Sequence, residues 1–127
     1  MLTGELIQSV IRDILTGLAY MDSKQIMHRD IKPENVILRE EENRWVISDF
    51  GLAAKSNEDY LYDKCGTMGY IAPEIMQLLE NSKYAQACDT YSLGIIAYQL
   101  IVGELPFKVE SINFFDKKII WLLFDRE

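Results

Sequence analysis

Residues 28 to 35 read HRDIKPEN and gather His28, Arg29, Asp30, Lys32 and Glu34 around one proline. The Asp30 carboxylate and the Lys32 ammonium stand two positions apart, and Asn35 ends the stretch with a carboxamide. Pro33 has a fixed φ and stiffens the loop that carries these groups. Plainer roles attach to several neighbours. His28, the only histidine in the chain, reads as a structural group, and the acidic run at residues 40–42 reads as a solvated turn. Cys65 and Cys88 lack the paired spacing of a metal site and read as reduced thiols.

The elements that must position this octet follow from periodicity. Leu6, Ile7, Val10, Ile11, Ile14, Leu15 and Leu18 recur at three and four, which predicts a helix with Thr3 as its N-cap and an end near Ser23. After the octet, Val36 to Leu38 and Trp45 to Ile47 are β-prone runs separated by REEENR, which predicts a small hairpin with an acidic tip. Residues 49 to 74 show no sustained period and hold Gly51, Gly66, Gly69 and Pro73, as expected of a long ordered loop. Pro73 suits the first turn of a short helix, EIMQLLEN. From Ala85 to Val102 the chain is apolar on nearly every face and stops at Gly103, so this helix belongs at the centre of a fold.

Bulk properties narrow the function. A length of 127 residues with 49% hydrophobic and 26% charged residues describes one folded domain. A formal charge of −7, with the 13 Lys and Arg scattered, argues against nucleic acid as a partner. The start MLTGELIQSV lacks a signal-peptide layout, and IIWLLF near the end is too short to span a bilayer. A soluble, intracellular, cytoplasmic protein is expected.

HRDIKPEN, DFG at residues 49–51, CGTMGYIAPE at 65–74 and DTYSLG at 89–94 occur together in the order and spacing of the eukaryotic protein kinases, and the chain resembles that family. IMHRDIKPEN, CGTMGYIAPEI and GELPF are most similar to the calcium/calmodulin-dependent group. The resemblance implies transfer of the ATP γ-phosphate to a hydroxyl with Mg²⁺. Asp30 would be the base, Lys32 a cation near the transferring group, and Asn35 and Asp49 the metal ligands. Lys32, Glu34, Asn35 and Asp49 would form the cofactor side, with Glu34 also facing a basic residue of the substrate. Lys32 and Thr67 point to serine or threonine acceptors in protein substrates. Arg29 marks kinases whose activation loop is ordered by a phosphate, and Ser56, Tyr60, Tyr62 and Thr67 lie in that loop. His28 would pack on Phe50. Asp89 reads as a helix N-cap or, by resemblance, as the group holding the catalytic loop from below.

The resemblance covers 1–127 as a partial kinase domain: the helix before the catalytic loop, that loop, the activation segment, the central helix and the start of the region after it. The expected fold is mainly α with short β-hairpins, a kinase-like C-terminal lobe truncated at both ends. No GxGxxG occurs among the seven glycines, and the match fades beyond Phe107. The alternative is a catalytically incomplete kinase-like binding or scaffold fragment. Either way, Ile37, Ile96 and Leu100 are expected to lie exposed on the adenine side and to favour self-association.

Overall fold

The computed structural model describes residues 2–56, 65–76 and 86–109. Helix α1 runs Gly4–Ser23. Thr3 caps it as expected, with extended backbone and a side-chain oxygen that accepts from the Leu6 N–H at 3.3 Å. Val10, Ile14, Leu18 and Met21 form its buried stripe. The chain leaves the helix through Gln25 in the left-handed region (φ 56°) and enters the two-residue strand β1, Ile26–Met27.

The octet follows β1 and ends in a short 3₁₀ turn, Pro33–Asn35. Strands β2 (Val36–Arg39) and β3 (Arg44–Ile47) then form the expected hairpin, antiparallel from Val36↔Ile47 to Arg39↔Arg44. Its tip is a 3₁₀ turn at Glu40–Glu42, closed by Asn43 at φ 46°, a conformation that asparagine tolerates better than most residues. The acids of this tip are exposed, as a solvated turn requires.

Strand β4, Ala54–Lys55, pairs antiparallel with β1 (Ile26↔Lys55, Met27↔Ala54). It lies in the stretch expected to be irregular. Two residues carry no readable alternation, and this ladder exists because the loop returns to lie beside β1. Helix α2 spans Pro73–Met76 and opens on the proline; the expected continuation to residue 81 lies outside the described residues.

Helix α3, Ala87–Val102, stops at Gly103, whose φ of 90° lets its N–H reach the Gln99 carbonyl at 2.8 Å. It packs on α1 through Leu93, Ile95 and Ile96, with Val36, Trp45 and Ile47 of the hairpin closing the core. A second cluster of Met27, Ile71, Ala72, Ile75 and Cys88 lies beneath the octet's entry strand. Tyr91 packs against both clusters and is only partly buried.

The expected exposed apolar face needs correcting. Ile96 is 2% exposed because its side of α3 faces α1, and Leu100 is half-buried against the same core. Ile37 is exposed as expected. Tyr98, Ile101 and Val102 are also exposed, so the buried residues of α3 all lie in its first three turns and its end is open. Among the described residues no helix is long and apolar enough to cross a membrane.

Ile14 is fully buried between α1, α3 and the hairpin. Ile14→Ala should therefore lower unfolding free energy by about 2–5 kcal/mol, read as a shift of the urea midpoint at constant slope. An unmoved midpoint would show that this contact does not hold the helices together.

Candidate active site

The octet is suspended from α3. Asp89, in the first turn of that helix, is 3% exposed, and its two carboxylate oxygens accept the His28 N–H at 2.7 Å and the Arg29 N–H at 2.9 Å. The helix N-cap is Gln86, so the capping role does not belong to Asp89. Burial pushes the Asp89 carboxyl above its ordinary range, and the two N–H bonds pull against that shift. Cys88, beside it, is pushed up as well, by burial first and then by the Asp89 charge, so it stays a thiol.

Arg29 is held at φ 71°, a conformation rare for a residue with a side chain, and its guanidinium Nε donates to the Leu52 carbonyl at 2.5 Å. The turn brings the next side chains to one side. Gly66, at φ 127°, passes so close that an added Cβ would lie 3.1 Å from the Arg29 carbonyl and 2.9 Å from Ile71. Only glycine fits that crossing.

His28 has no exposed surface, and both of its ring nitrogens are used. The Asp30 N–H donates to Nδ1 at 3.2 Å, and Nε2 lies 2.8 Å from the Ser48 carbonyl. A carbonyl can only accept and an N–H can only donate, so the hydrogen resides on Nε2. The ring also meets Phe50 edge-on at 5.1 Å, which is the packing role expected for it. His28 thus ties the octet to the residue before Asp49.

Around Asp30 the polar groups close on one another. Thr67 Oγ1 donates to Asp30 Oδ1 at 2.6 Å, Lys32 Nζ donates to Thr67 Oγ1 at 2.8 Å, and Lys32 Nζ lies 3.3 Å from Asp30 Oδ2. Asn35, 6% exposed, donates through Nδ2 to the Asp30 carbonyl at 2.8 Å and lies 3.4 Å from Asp30 Oδ2. That commitment of the amide nitrogen leaves Oδ1 as the end able to face a cation. The Asn35 carbonyl accepts from Ser48 N–H at 2.8 Å and Ser48 Oγ at 3.1 Å, which closes the open end of the hairpin one residue before Asp49.

Asp49 is exposed and sits at φ 58°, with Oδ1 accepting the Gly51 N–H at 3.2 Å. Asp30, Lys32 and Asn35 are joined by side-chain contacts, and Asp49 is connected to them through Ser48, which bonds the Asn35 carbonyl. Glu34 is exposed, and its charge is felt at Tyr70, whose hydroxyl is pushed up first by burial and then by Glu34. Among the described residues no three or more His, Cys, Asp or Glu form a ready cage for a metal. A site of one carboxylate and one amide fits an ion that also takes oxygens from its ligand.

Two contributors had no signal in the sequence. Ser48 acts through its backbone, and Leu52 does the same for Arg29. Thr67, of the loop that the resemblance assigns to activation, contacts the site through Asp30. Tyr60 and Tyr62 lie outside the described residues; Ser56 accepts from Gln86 Nε2 at 2.8 Å.

Comparison with known proteins agrees with this geometry. The sequence pattern of the protein kinase domain matches residues 1–123. The chain belongs to the protein kinase family. It is 39% identical over 105 residues to a calcium/calmodulin-dependent protein kinase type 1 of Caenorhabditis elegans, covering 81% of this chain and 29% of that protein. It is 41% identical over 110 residues to the serine/threonine-protein kinase grp of Drosophila melanogaster, covering 84% of this chain and 21% of that protein. A calcium/calmodulin-dependent protein kinase type 1B of Rattus norvegicus is 40% identical over 104 residues. The kinase chain thus spans less than a third of the length of the curated relatives it matches.

The raised Asp89 carboxyl has a consequence for stability. The folded kinase chain holds that proton more tightly than the unfolded one, so this contribution is full below the ordinary aspartate range and is lost as pH rises through the raised folded value. Asp89→Asn cannot titrate. In urea titrations the stability of the wild type relative to Asp89→Asn should fall across that interval and stay level above it. Relative stability that climbs with pH would contradict the assignment.

Proposed function

We propose that this chain is the catalytic segment of a protein serine/threonine kinase, transferring the γ-phosphoryl group of ATP to serine or threonine hydroxyls of protein substrates. The observation that carries the reading is the closed set Asp30–Thr67–Lys32, in which the Thr67 hydroxyl rests on Asp30 Oδ1 at 2.6 Å and the Lys32 ammonium lies 2.8 Å from that hydroxyl oxygen. A substrate hydroxyl presented to that carboxylate meets the same two charges. Asp30 orients the hydroxyl and takes its proton, within the reach that general-base work requires. Lys32 sets positive charge beside the oxygen as negative charge spreads over the transferring group.

Mg²⁺ with ATP would supply the phosphoryl group and neutralise its charge. Asn35 Oδ1 and Asp49 are the oxygens of this chain that suit the ion, because Asn35 Nδ2 is committed to the Asp30 carbonyl and Asp49 keeps an oxygen free of the Gly51 N–H. Glu34, exposed beside the site, suits a basic residue of the substrate. Residues 1–127 correspond in this reading to part of a kinase domain, the core of its C-terminal lobe, in an intracellular, cytoplasmic protein. A calcium/calmodulin-dependent subgroup is part of this reading, supported by the names of two of the relatives. The exposed side chains Ile37, Tyr98, Ile101 and Phe107 favour self-association when nothing covers them.

The test is Asp30→Ala in a polypeptide joining this segment to a nucleotide-clamping lobe. Transfer to a serine peptide should fall at least about 100-fold in kcat, while circular dichroism stays that of the parent. Retained transfer would remove Asp30 from the role of base. A parent that transfers nothing to serine or threonine but binds a protein partner would favour the scaffold alternative.

A further inference from the structure

Helix α1 contributes no residue to the site, yet it holds the strand that delivers Asp49. Asp13 lies on α1 with a side chain only 13% exposed, and its Oδ2 accepts the Trp45 N–H at 3.0 Å. Its other oxygen is 3.9 Å from Arg12 Nε, but that arginine side chain is 69% exposed and the pair contributes little. The backbone bond is the contact that matters. One turn farther along α1, Gly17 faces the same strand, and an added Cβ there would stand 3.2 Å from Ile47 Cδ1.

The two contacts match in spacing. Positions 13 and 17 lie on one helix face about 6 Å apart along the axis, and Trp45 and Ile47 point to one side of β3 about 7 Å apart. The helix therefore acts as a ruler against the strand. Beyond Ile47, Ser48 places its N–H and hydroxyl on the Asn35 carbonyl and its own carbonyl on His28 Nε2, and the following residue is Asp49. A shift of β3 along or away from α1 is passed through this short rigid run to the carboxylate.

We infer that Asp13 is a positioning residue of the active site: its hydrogen bond to Trp45 fixes the height of β3 on α1 and thereby the placement of Asp49. This rests on the kinase reading for its catalytic consequence, but its structural part does not. A part-buried carboxylate on a helix, accepting from one strand N–H, needs no charge for that task. An amide oxygen at the same reach serves equally, whereas a longer side chain holds the strand at the wrong distance.

The experiment compares Asp13→Ala, Asp13→Asn and Asp13→Glu. In the ¹⁵N-labelled chain, the Gly51 amide reports Asp49, since it donates to that carboxylate. Asp13→Ala should speed exchange of the Trp45 amide about 5- to 10-fold, the loss of one ordinary hydrogen bond, and shift the Gly51 resonance. Asp13→Asn should leave both as in wild type. In the active kinase polypeptide, Asp13→Ala and Asp13→Glu should raise the Mg²⁺ concentration for half-maximal transfer about 10-fold, as loss of a residue supporting a metal ligand does. The peptide KM should stay unchanged and Asp13→Asn should restore the wild-type Mg²⁺ requirement. If Asp13→Ala does not fold, the Asn and Glu pair decides. A faster Trp45 amide with an unmoved Gly51 resonance and an unchanged Mg²⁺ requirement would reduce Asp13 to a structural contact and overturn the inference. If the parent shows no phosphoryl transfer, the kinase reading falls, and the Gly51 resonance still tests the placement of Asp49.

Discussion

One carboxylate organises the molecule. Asp89 takes the N–H groups of two successive residues, His28 and Arg29, at 2.7 and 2.9 Å inside the protein. The chain turns immediately after these two donors, at Arg29 with φ 71°. That conformation is unfavourable for arginine on its own. The buried carboxylate offsets it, and the desolvation that raises the Asp89 carboxyl is the accompanying cost. The octet is thereby attached to the start of α3, a helix fixed by its packing on α1. Asp30 sits one residue beyond the attachment.

The second attachment runs through His28. Its ring joins the Asp30 N–H to the Ser48 carbonyl, and the hairpin end joins Ser48 to the Asn35 carbonyl. Asp30, Asn35 and the residue before Asp49 are therefore linked by short bonds through backbone atoms. Of the four positive-φ residues other than glycine among the described residues, two, Arg29 and Asp49, flank this circuit. Strain of this kind persists only when its surroundings fix it. Here the fixing groups are Asp89, His28, Leu52 and Gly51, each acting on backbone or through it. Preorganisation of this sort suits a reaction whose catalysis consists mainly of alignment and charge placement.

Much of this was legible in the sequence, and the reason differs from element to element. Helix α1 and the β2–β3 hairpin follow from apolar period and a run of acids, so both appear where expected. Gly103 and Pro73 mark element ends through backbone geometry that each residue type dictates. The β1–β4 ladder was not legible, because two residues show no period and their partner lies across the octet. Ile96 was misjudged for a similar reason. A helix apolar on nearly every face does not tell which face meets α1. The site residues Asp30, Lys32, Asn35 and Asp49 were named from short motifs, whereas Ser48, Leu52 and Asp13 act on or through the main chain, where residue type leaves little trace.

The account turns on whether Asn35 and Asp49 face one shared ion rather than separate stretches of solvent. Titration of the ¹⁵N-labelled chain with Mn²⁺ and ATP tests this directly, since the paramagnetic ion broadens resonances near it. Broadening of the Asn35 side-chain amide and the Gly51 backbone amide together, ahead of the acidic tip at Glu40–Glu42, is the predicted result. Broadening confined to Glu40–Glu42, with the Asn35 and Gly51 signals still sharp, would contradict it.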